Sequence, residues 1–184
     1  MEHTIIEKGY HKRETCGSCN GSDFKTILDL GTVPLAGYFP SEDQMGVESK
    51  YPLSLLVCID CKLTQTDSVI NPKLLFEDYR YLSSVGLTNH FTEVADVINE
   101  KYDINGKTIL EIGCNDGVLL EPLSKLGAIV EGVDPATNVV KIATDKGLRV
   151  YNDYFNDSTF GVDKFKDKYS LVISNNTFAH IIDI

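Results

Sequence analysis

Four of the five cysteines are spaced as metal ligands. Cys16 and Cys19 stand in "CGSC", Cys58 and Cys61 stand in "CIDC", and 38 residues separate the two pairs. Each C-x2-C turn directs two thiolates to one point, and two such turns together form the four-sulfur tetrahedral shell that zinc prefers in structural sites. The spacing therefore predicts one structural zinc, because a closed shell of four thiolates has no open position for a substrate.

Redox thiols and iron are the alternatives to zinc, since they use the same residue type. A thioredoxin-like redox pair opens a helix in a βαβ unit, and neither cysteine pair is followed by a helical pattern. Thiols also stay reduced in the cytoplasm, where paired cysteines more often hold a metal than form disulfides. Zinc is therefore the favoured interpretation.

A second set of chemistry-bearing residues lies in the turn "EIGCNDG". Glu111, Gly113 and Gly117 give an E-x-G-x-x-x-G spacing, which lacks the central glycine of a dinucleotide fingerprint, and no P-loop lysine follows. Asp134 ends the next predicted strand, where a carboxylate can accept both hydroxyls of a ribose. This combination indicates a nucleoside cofactor without a pyrophosphate, as in S-adenosylmethionine sites. The alternative is a glycine turn that only joins a strand to a helix.

The elements around this turn alternate between strands and helices. The order is strand "KTILEIG", helix "GVLLEPLSKLG", strand "IVEGVD", helix "NVVKIATDKG", strand "LRVYND", a short helical stretch and strand "YSLVISNN". Such a series predicts an α/β fold with a doubly wound parallel sheet. Before it, an amphipathic helix is predicted by apolar residues at helical spacing: Phe91, Val94, Ala95, Ile98 and Tyr102.

The segment between the cysteine pairs predicts a small module built of short strands. The apolar run 27–30, a turn at Gly31 and the stretch "YPLSLLVC" indicate strands closing on the metal, with acidic "SEDQMGVES" as a surface loop. The aromatic and polar stretch that follows the second pair fits packing better than a pocket wall on composition alone. We therefore expect a zinc-binding module over 1–70, a helical linker over 71–105, and a cofactor-binding domain over 106–184.

The composition excludes two classes of partner. A chain of 184 residues with 42% hydrophobic content can bury a core, but its net charge of −10 repels a phosphate backbone, so nucleic acid is not expected to bind. The N-terminus has no basic stretch followed by an apolar one, and no run of about 18 apolar residues occurs. We expect no membrane span and a cytoplasmic location.

Seven motifs in order carry a resemblance to a known family: "ETCGSC", "DLGTVPLAGYF", "CIDCKLTQ", "FEDYRYLSSVG", "LEIGCNDGVLL", "GVDPATNVV" and "SNNTFAHI". Over nearly its whole length the chain resembles the S-adenosylmethionine-dependent C-methyltransferases that act on nucleotide-linked deoxysugars. The resemblance includes the family's N-terminal zinc-binding domain. It implies a Rossmann-like (class I methyltransferase) sheet after the zinc-binding module, and a nucleotide-sugar as substrate.

The resemblance also implies a mechanism and its residues. A keto group at C4 of the sugar acidifies the C3 proton, a base removes it, and the enolate carbon takes the methyl group. Tyr79 matches the first tyrosine of the family's Y-x-Y-x-S-S lid and His180 matches the histidine of N-N-x-F-A-H-I, so both are expected at the sugar or its enolate oxygen. On spacing alone, His180 fits a helix cap or a packing position equally well. The residues expected to bind the cofactor are Glu111, Gly113, Asn115, Gly117, Asp134, Asp153 and Asn175. Cys114 is expected to be a small residue beside the cofactor, with no base to make it a nucleophile.

The chain departs from the family at Ile184, just after the fourth predicted strand. The family continues with three more strands, a histidine-bearing segment that carries the base, and a sugar-binding domain. We therefore expect these 184 residues alone to be inactive and to self-associate through the exposed edge of the cut sheet. The alternative function is a non-catalytic, zinc-containing, nucleoside-binding interaction module. An in-frame continuation of the gene would favour the enzyme.

Overall fold

The structure is a computed structural model that describes residues 9–37, 39–77, 79–156, 160–161, 165 and 167–181. The chain divides into two compact units. The first comprises Met1–Leu75 with Ile181–Ile184, and the second comprises Phe76–His180. Within the described residues, no helix has the length and apolar character needed to cross a membrane.

The first unit is built of short antiparallel strands around the cysteine pairs. Its strands are β1 (Tyr10–Lys12), β2 (Phe24–Pro34), β3 (Lys50–Cys58), β4 (Thr64–Thr66) and β5 (Ser68–Ile70). β1 pairs with β5, and the other three strands form a sheet in the order β2-β3-β4. The predicted acidic loop is exposed and contains one 3-10 turn, Glu42–Gln44. A short helix, α1 (Pro72–Phe76), follows β5.

The predicted turn at Gly31 is wrong. β2 continues through Gly31, and its register against β3 shifts between Asp29 and Thr32. Gly31 has φ +69°, and its N–H donates to Oδ1 of Asp29 at 2.8 Å. A glycine in the left-handed region produces a bulge within a strand as readily as a turn between strands, so the sequence signal is the same for both.

The second unit contains the predicted parallel sheet. Its strands are β6 (Thr108–Ile112), β7 (Ile129–Val133), β8 (Arg149–Tyr151) and β9 (Leu171–Ser174). They lie in the order β8-β7-β6-β9, and all three pairings are parallel. The strand order reverses at β6, so the carboxyl end of β6 is the topological switch point at which ligands bind in open α/β sheets.

Three helices accompany the sheet: α2 (Ser84–Tyr102), α3 (Leu120–Lys125) and α4 (Thr137–Asp145). α3 connects β6 to β7, and α4 connects β7 to β8, as predicted. The predicted short helical stretch between β8 and β9 falls partly on residues outside those that the structure describes.

The helix α2 packs on the sheet through the predicted apolar face. Phe91 and Ala95 are buried, and Val94 and Ile98 pack against the same core. Tyr102, predicted on that face, is instead 44% exposed, and the ammonium of Lys101 lies 5.2 Å from its ring centroid. The core that α2 joins consists of Ile104, Ile109, Val118, Leu119, Leu123 and Ala128. Burial of these side chains supplies the main stabilisation of the second unit.

Candidate metal centre and cofactor site

The four paired cysteines meet at one point in the first unit. Their sulfur atoms all lie within 4.8 Å of one another, and the Sγ–Sγ distances of Cys16 to Cys61 and of Cys19 to Cys58 are both 3.6 Å. A zinc ion bound tetrahedrally by thiolates at about 2.3 Å holds its sulfurs about 3.8 Å apart. The four sulfurs therefore fit zinc, and they are too far apart to be disulfide-bonded.

The two cysteine turns share one backbone geometry. The carbonyl of Cys16 accepts a hydrogen bond from the N–H of Asn20, and the carbonyl of Cys58 accepts one from the N–H of Lys62, both at 3.0 Å. Asn20 and Lys62 each follow their first cysteine by four residues, and both have positive φ, +60° and +66°. The two C-x2-C segments thus adopt the same turn, and each turn presents its two thiols to the shared site.

The first turn also favours the thiolate form of a ligand. Backbone hydrogen bonds from Cys19 and Ser18 lower the pKa of the Cys16 thiol to about 6. Since the thiolate is the form that binds metal, this thiol is prepared for coordination at neutral pH. Cys16 and Cys58 are buried, whereas Cys19 and Cys61 are exposed.

The glycine turn after β6 is tied to β7 and is closely packed. The N–H of Gly113 donates to the carbonyl of Val133 at 2.8 Å. Gly113 has φ +71°, and a Cβ there would lie 2.1 Å from Oγ1 of Thr177; Gly117 has φ +76°, and a Cβ there would lie 2.3 Å from Cδ1 of Leu148. Both positions therefore favour glycine for conformation, and Gly113 also requires it for space, because three side-chain atoms of Thr177 would crowd a Cβ there. Contact of either glycine with a cofactor stays a prediction.

Asp134 lies beside this turn, at the end of β7. Its carboxylate accepts the N–H of Asn115 and the N–H of Ala136, both at 2.9 Å, and the residue is 8% exposed. Burial raises the pKa of Asp134, and these two hydrogen bonds oppose the rise. A carboxylate has about four lone-pair positions, so two remain for the hydroxyls of a ribose.

Glu111 is the buried acid of the site. It is 3% exposed, its Oε1 accepts a hydrogen bond from Nδ2 of Asn175 at 3.3 Å, and its Oε2 has no partner among the described residues. Burial raises the pKa of Glu111 to about 8, against the effect of Asn175, and the charges of Asp134 and Asp116 add to the rise. Three acids and an unpartnered buried oxygen fit a positively charged ligand, as S-adenosylmethionine is at its sulfonium and ammonium groups.

A cavity of about 380 Å³ adjoins the loop of Asp134. Asp153, predicted at the end of the third strand of the sheet, lines this cavity. Tyr154 also lines the cavity, and its hydroxyl has no hydrogen-bond partner among the described residues. Burial raises the pKa of the Tyr154 phenol, and the charges of Glu77, Asp134 and Asp153 add to the rise. The remaining lining residues are Pro135, Thr137, Asn152 and Glu77.

The two predicted catalytic residues share one neighbour, Phe76. The ring centroid of Phe76 lies 6.1 Å from that of Tyr79 and 6.0 Å from that of His180. Tyr79 also lies 6.4 Å from the ring of Tyr81. Burial raises the pKa of the Tyr79 phenol, and Asp134 and Tyr81 raise it further. The structure thus brings Tyr79 and His180 into one aromatic cluster, and the charge of Asp134 reaches it.

Comparison with known families decides the class of protein. Residues 16–76 match the family described as "Putative zinc binding domain", and residues 87–184 match the family described as "Methyltransferase domain". The second match spans more than half of the 184 residues. The chain belongs to the methyltransferase family.

Curated relatives of this methyltransferase include enzymes of carbon and of oxygen methylation. It is 32% identical over 178 residues to the C-methyltransferase NovU of Streptomyces niveus, a match that covers 93% of this chain and 42% of NovU. It is 31% identical over 102 residues to a ubiquinone biosynthesis O-methyltransferase of Rhodopseudomonas palustris strain BisA53, covering 50% of this chain and 40% of that protein. The methyltransferase chain thus spans about two fifths of the length of these relatives.

A solved structure that matches part of this chain is magnesium protoporphyrin IX methyltransferase from Synechocystis PCC 6803 with bound SAM. The sequence identity is 22%, the TM-score is 0.42, and the match covers 53% of this chain and 48% of that chain. Membership of the methyltransferase family confirms the predicted α/β fold class. With the four-sulfur cluster, it also confirms the predicted cofactors, S-adenosylmethionine and structural zinc.

Two features of the methyltransferase site escaped the sequence analysis. The side chain of Asn115, predicted to bind the cofactor, is bonded to the backbone of Tyr81 and Ser83. Asn138, in the first turn of α4, is bonded to the backbone of Tyr79. A polar residue near the start of a helix is common for reasons of solvation alone, so nothing in "TNVVKIATD" distinguishes Asn138 from a surface residue.

Cys114 packs on β7 in the methyltransferase core. The residue is 2% exposed, and a Cβ built on Gly132 would lie 2.5 Å from its sulfur. Burial, with the charges of Glu111 and Asp134, raises the pKa of this thiol well above its usual range. A neutral buried thiol is a poor nucleophile, which agrees with the expectation that Cys114 is not a nucleophile; its place beside the cofactor stays a prediction.

Proposed function

We propose that this methyltransferase transfers a methyl group to C3 of a nucleotide-linked 4-keto-deoxysugar, through an enolate. The observation that carries the proposal is the cluster of Tyr79, Phe76 and His180, which is reached by the charge of Asp134. Similarity to a C-methyltransferase over 93% of the chain, zinc module included, supports carbon as the acceptor. The match to O-methyltransferases covers only about half of the chain.

Residues of the second unit would hold the cofactor, which supplies an electrophilic methyl group when bound. Asp134 would accept the ribose hydroxyls with its two remaining lone-pair positions. Glu111 would face the cationic part of the molecule with its unpartnered oxygen. Asp153 would contact the nucleobase of the cofactor from the wall of the cavity.

Tyr79 would stabilise the enolate as a hydrogen-bond donor. A base would take the C3 proton, which would leave negative charge on the C4 oxygen; C3 would then bond to the methyl carbon while the electron pair of the methyl–sulfur bond stays on sulfur. A tyrosine phenol keeps its proton at neutral pH, and burial raises the pKa of Tyr79 further, so Tyr79 would donate a hydrogen bond to that oxygen. One such donor is worth about 10²- to 10³-fold in kcat.

His180, whose ring also packs against Phe76, would contact the sugar. His180 is exposed and lies in the 3-10 turn Phe178–His180, where its backbone N–H donates to the carbonyl of Thr177 at 2.8 Å. The imidazole is thus free of the backbone bond that fixes the turn. Because paired cysteines more often hold a metal than form disulfides where thiols stay reduced, the proposed location is the cytoplasm.

Hydrogen exchange at C3 tests the enolate step without methyl transfer. The full-length protein is incubated in D2O with a 4-keto-deoxysugar nucleotide and S-adenosylhomocysteine, and deuterium at C3 is followed by NMR. We expect one deuterium to enter at C3, with the rate falling about 10²- to 10³-fold in Tyr79→Phe. Tyr102→Phe, at an exposed tyrosine of α2, is the matched control and should exchange at the wild-type rate.

The non-catalytic alternative gives a different result in the same experiment. An interaction module would bind S-adenosylhomocysteine but would leave the C3 proton in place. Cofactor binding measured by calorimetry without any exchange at C3 would therefore contradict the enolate mechanism.

A further inference from the structure

The backbone of residues 79–83, which form neither helix nor strand, is held by side chains of the cofactor-binding region. Asn138 bonds both sides of one residue: its Oδ1 accepts the N–H of Tyr79 at 3.2 Å, and its Nδ2 donates to the carbonyl of Tyr79 at 2.7 Å. Asn138 lies in α4, four residues after Asp134. A single carboxamide therefore fixes the Tyr79 backbone as a neighbouring strand would.

Asn115 repeats this arrangement further along the same segment. Its Nδ2 donates to the carbonyl of Tyr81 at 3.0 Å, and its Oδ1 accepts the N–H of Ser83 at 3.1 Å. Oδ2 of Asp116 accepts the N–H of Ser84 at 3.2 Å. Four hydrogen bonds from Asn138 and Asn115 thus connect this segment to α4 and to the glycine turn, and a fifth, from Asp116, holds the first residue of α2; all five go to backbone atoms.

Backbone bonds of this kind orient a side chain more strictly than ring packing does. The phenol of Tyr79 meets Phe76 and Tyr81 only through ring contacts at 6.1 and 6.4 Å, which allow the ring to shift. The position of its Cα is set by the two bonds to Asn138. Loss of those bonds would free residue 79 while leaving the buried core untouched, because Asn138 itself is exposed.

We propose that Asn138 is a positioning residue for Tyr79, holding residue 79 on both backbone sides so that its phenol stays against Phe76 and Tyr81. Asn138 touches no reacting atom. Asn138 acts on the reaction through Tyr79, and this part of the proposal rests on the proposed function. The two hydrogen bonds from Asn138 to the backbone of Tyr79 do not depend on which substrate is methylated.

Proteolysis tests the hold without any substrate. Arg80 follows Tyr79 directly and its side chain is exposed, but trypsin cleaves only where the backbone around the residue opens, so the rate of cleavage after Arg80 reports local opening of the segment. In Asn138→Ala we expect cleavage after Arg80, followed by mass spectrometry, to rise about 5- to 30-fold, the effect of about 1 to 2 kcal/mol. Asn138→Asp keeps the acceptor for the Tyr79 N–H and loses the donor to the Tyr79 carbonyl. Its cleavage rate after Arg80 should therefore fall between those of the wild type and Asn138→Ala. Lys141→Ala, on the exposed face of the same helix, is the matched control and should cleave as wild type does.

Kinetics separate positioning from a merely structural role. In the full-length Asn138→Ala protein we expect kcat to fall about 5- to 30-fold, the Kd of S-adenosylhomocysteine to change less than about twofold, and the Tm to stay within the few degrees that a surface change allows. Unchanged cleavage at Arg80 would overturn the proposal. So would a loss of cofactor affinity in step with a falling Tm, which is the result of general destabilisation. If the protein methylates no sugar, the proposed function fails while the cleavage result still decides whether Asn138 holds Tyr79.

Discussion

Glu111 and Asn175 meet across adjacent strands at the carboxyl end of the sheet. Nδ2 of Asn175 donates to Oε1 of Glu111 at 3.3 Å, and within the described residues it is the one hydrogen-bond partner of that buried carboxyl. One neutral donor is little compensation for a buried charge. The free protein therefore holds Glu111 as a neutral acid, and a cationic ligand is needed to keep it ionised.

Glu111→Gln should stabilise the protein at alkaline pH. The pKa of Glu111 is about 8 when folded and about 4.3 when unfolded, so between these values the folded state holds a proton that the unfolded state has lost. Stability from this group is complete below about pH 4.3 and is lost as the pH rises toward 8. Thermal unfolding should show equal Tm values near pH 4 and a higher Tm for the variant at pH 8.5. A variant that is less stable at pH 8.5 would show that Glu111 is paired in the free protein.

Asp134→Ala should weaken binding of S-adenosylmethionine by about 1.5 to 3 kcal/mol, the range for hydrogen bonds to a charged group. The carboxylate lies between the N–H groups of Asn115 and Ala136, so it also holds the turn that the ribose would approach. Calorimetry measures the affinity. Asp145→Ala, which removes an exposed carboxylate of α4, is the control and should bind as wild type does. An unchanged affinity in Asp134→Ala would remove this residue from the site.

One zinc ion per chain should copurify with the reduced protein. The four sulfurs already stand at the spacing of a tetrahedral shell, and small modules of this kind fold with their metal. Elemental analysis should give one equivalent for the wild type and for Cys114→Ala, and much less for Cys58→Ala. Chelation should then reduce the strand signal of the first unit in circular dichroism. Reduced protein without stoichiometric zinc would contradict this prediction.

The repeated patterns of the sequence predicted the architecture well, for physical reasons. The paired C-x2-C spacing and the alternation of strands and helices are local signals, and each is confirmed by an element that stands in the predicted place. Gly31 shows the limit of such signals, because a bulge and a turn use the same residue. The side-chain bonds of Asn115 and Asn138 to residues 79–83 join positions 32 to 59 residues apart, and no periodicity in the sequence encodes contacts of that range.

Glu131→Gln should destabilise the second unit by about 1 to 2 kcal/mol at neutral pH. Glu131 is buried in β7 and forms ion pairs at 2.7 Å with Arg149 and with Lys168. Burial raises the pKa of Glu131, but hydrogen bonds from Lys168 and Tyr169 and the charges of both cations lower it overall. This loss of stability is smaller than that for breaking a fully buried ion pair, because solvent screens the partly exposed side chains of Arg149 and Lys168.

The pH dependence of that loss has a definite sign. Because the folded pKa of Glu131 lies below the unfolded value of about 4.3, its contribution is complete above about pH 4.3 and disappears as the pH falls through the folded pKa. Urea unfolding at pH 7 and pH 3 should therefore show a large difference between wild type and variant only at pH 7. Glu121→Gln, in an exposed pair with Lys125, is the control and should change stability by less than about 0.5 kcal/mol. A difference of equal size at both pH values would mean that the charge is not what stabilises.

The fate of a labelled methyl group tests the central claim most directly. The full-length protein is incubated with S-adenosylmethionine carrying a ¹³C methyl and with a 4-keto-deoxysugar nucleotide uniformly labelled with ¹³C in the sugar, and the product is examined by NMR. We predict a methyl carbon with one-bond coupling to C3 of the sugar. A methyl group bound to oxygen, without one-bond carbon coupling, would contradict the account and assign the chain to oxygen methylation.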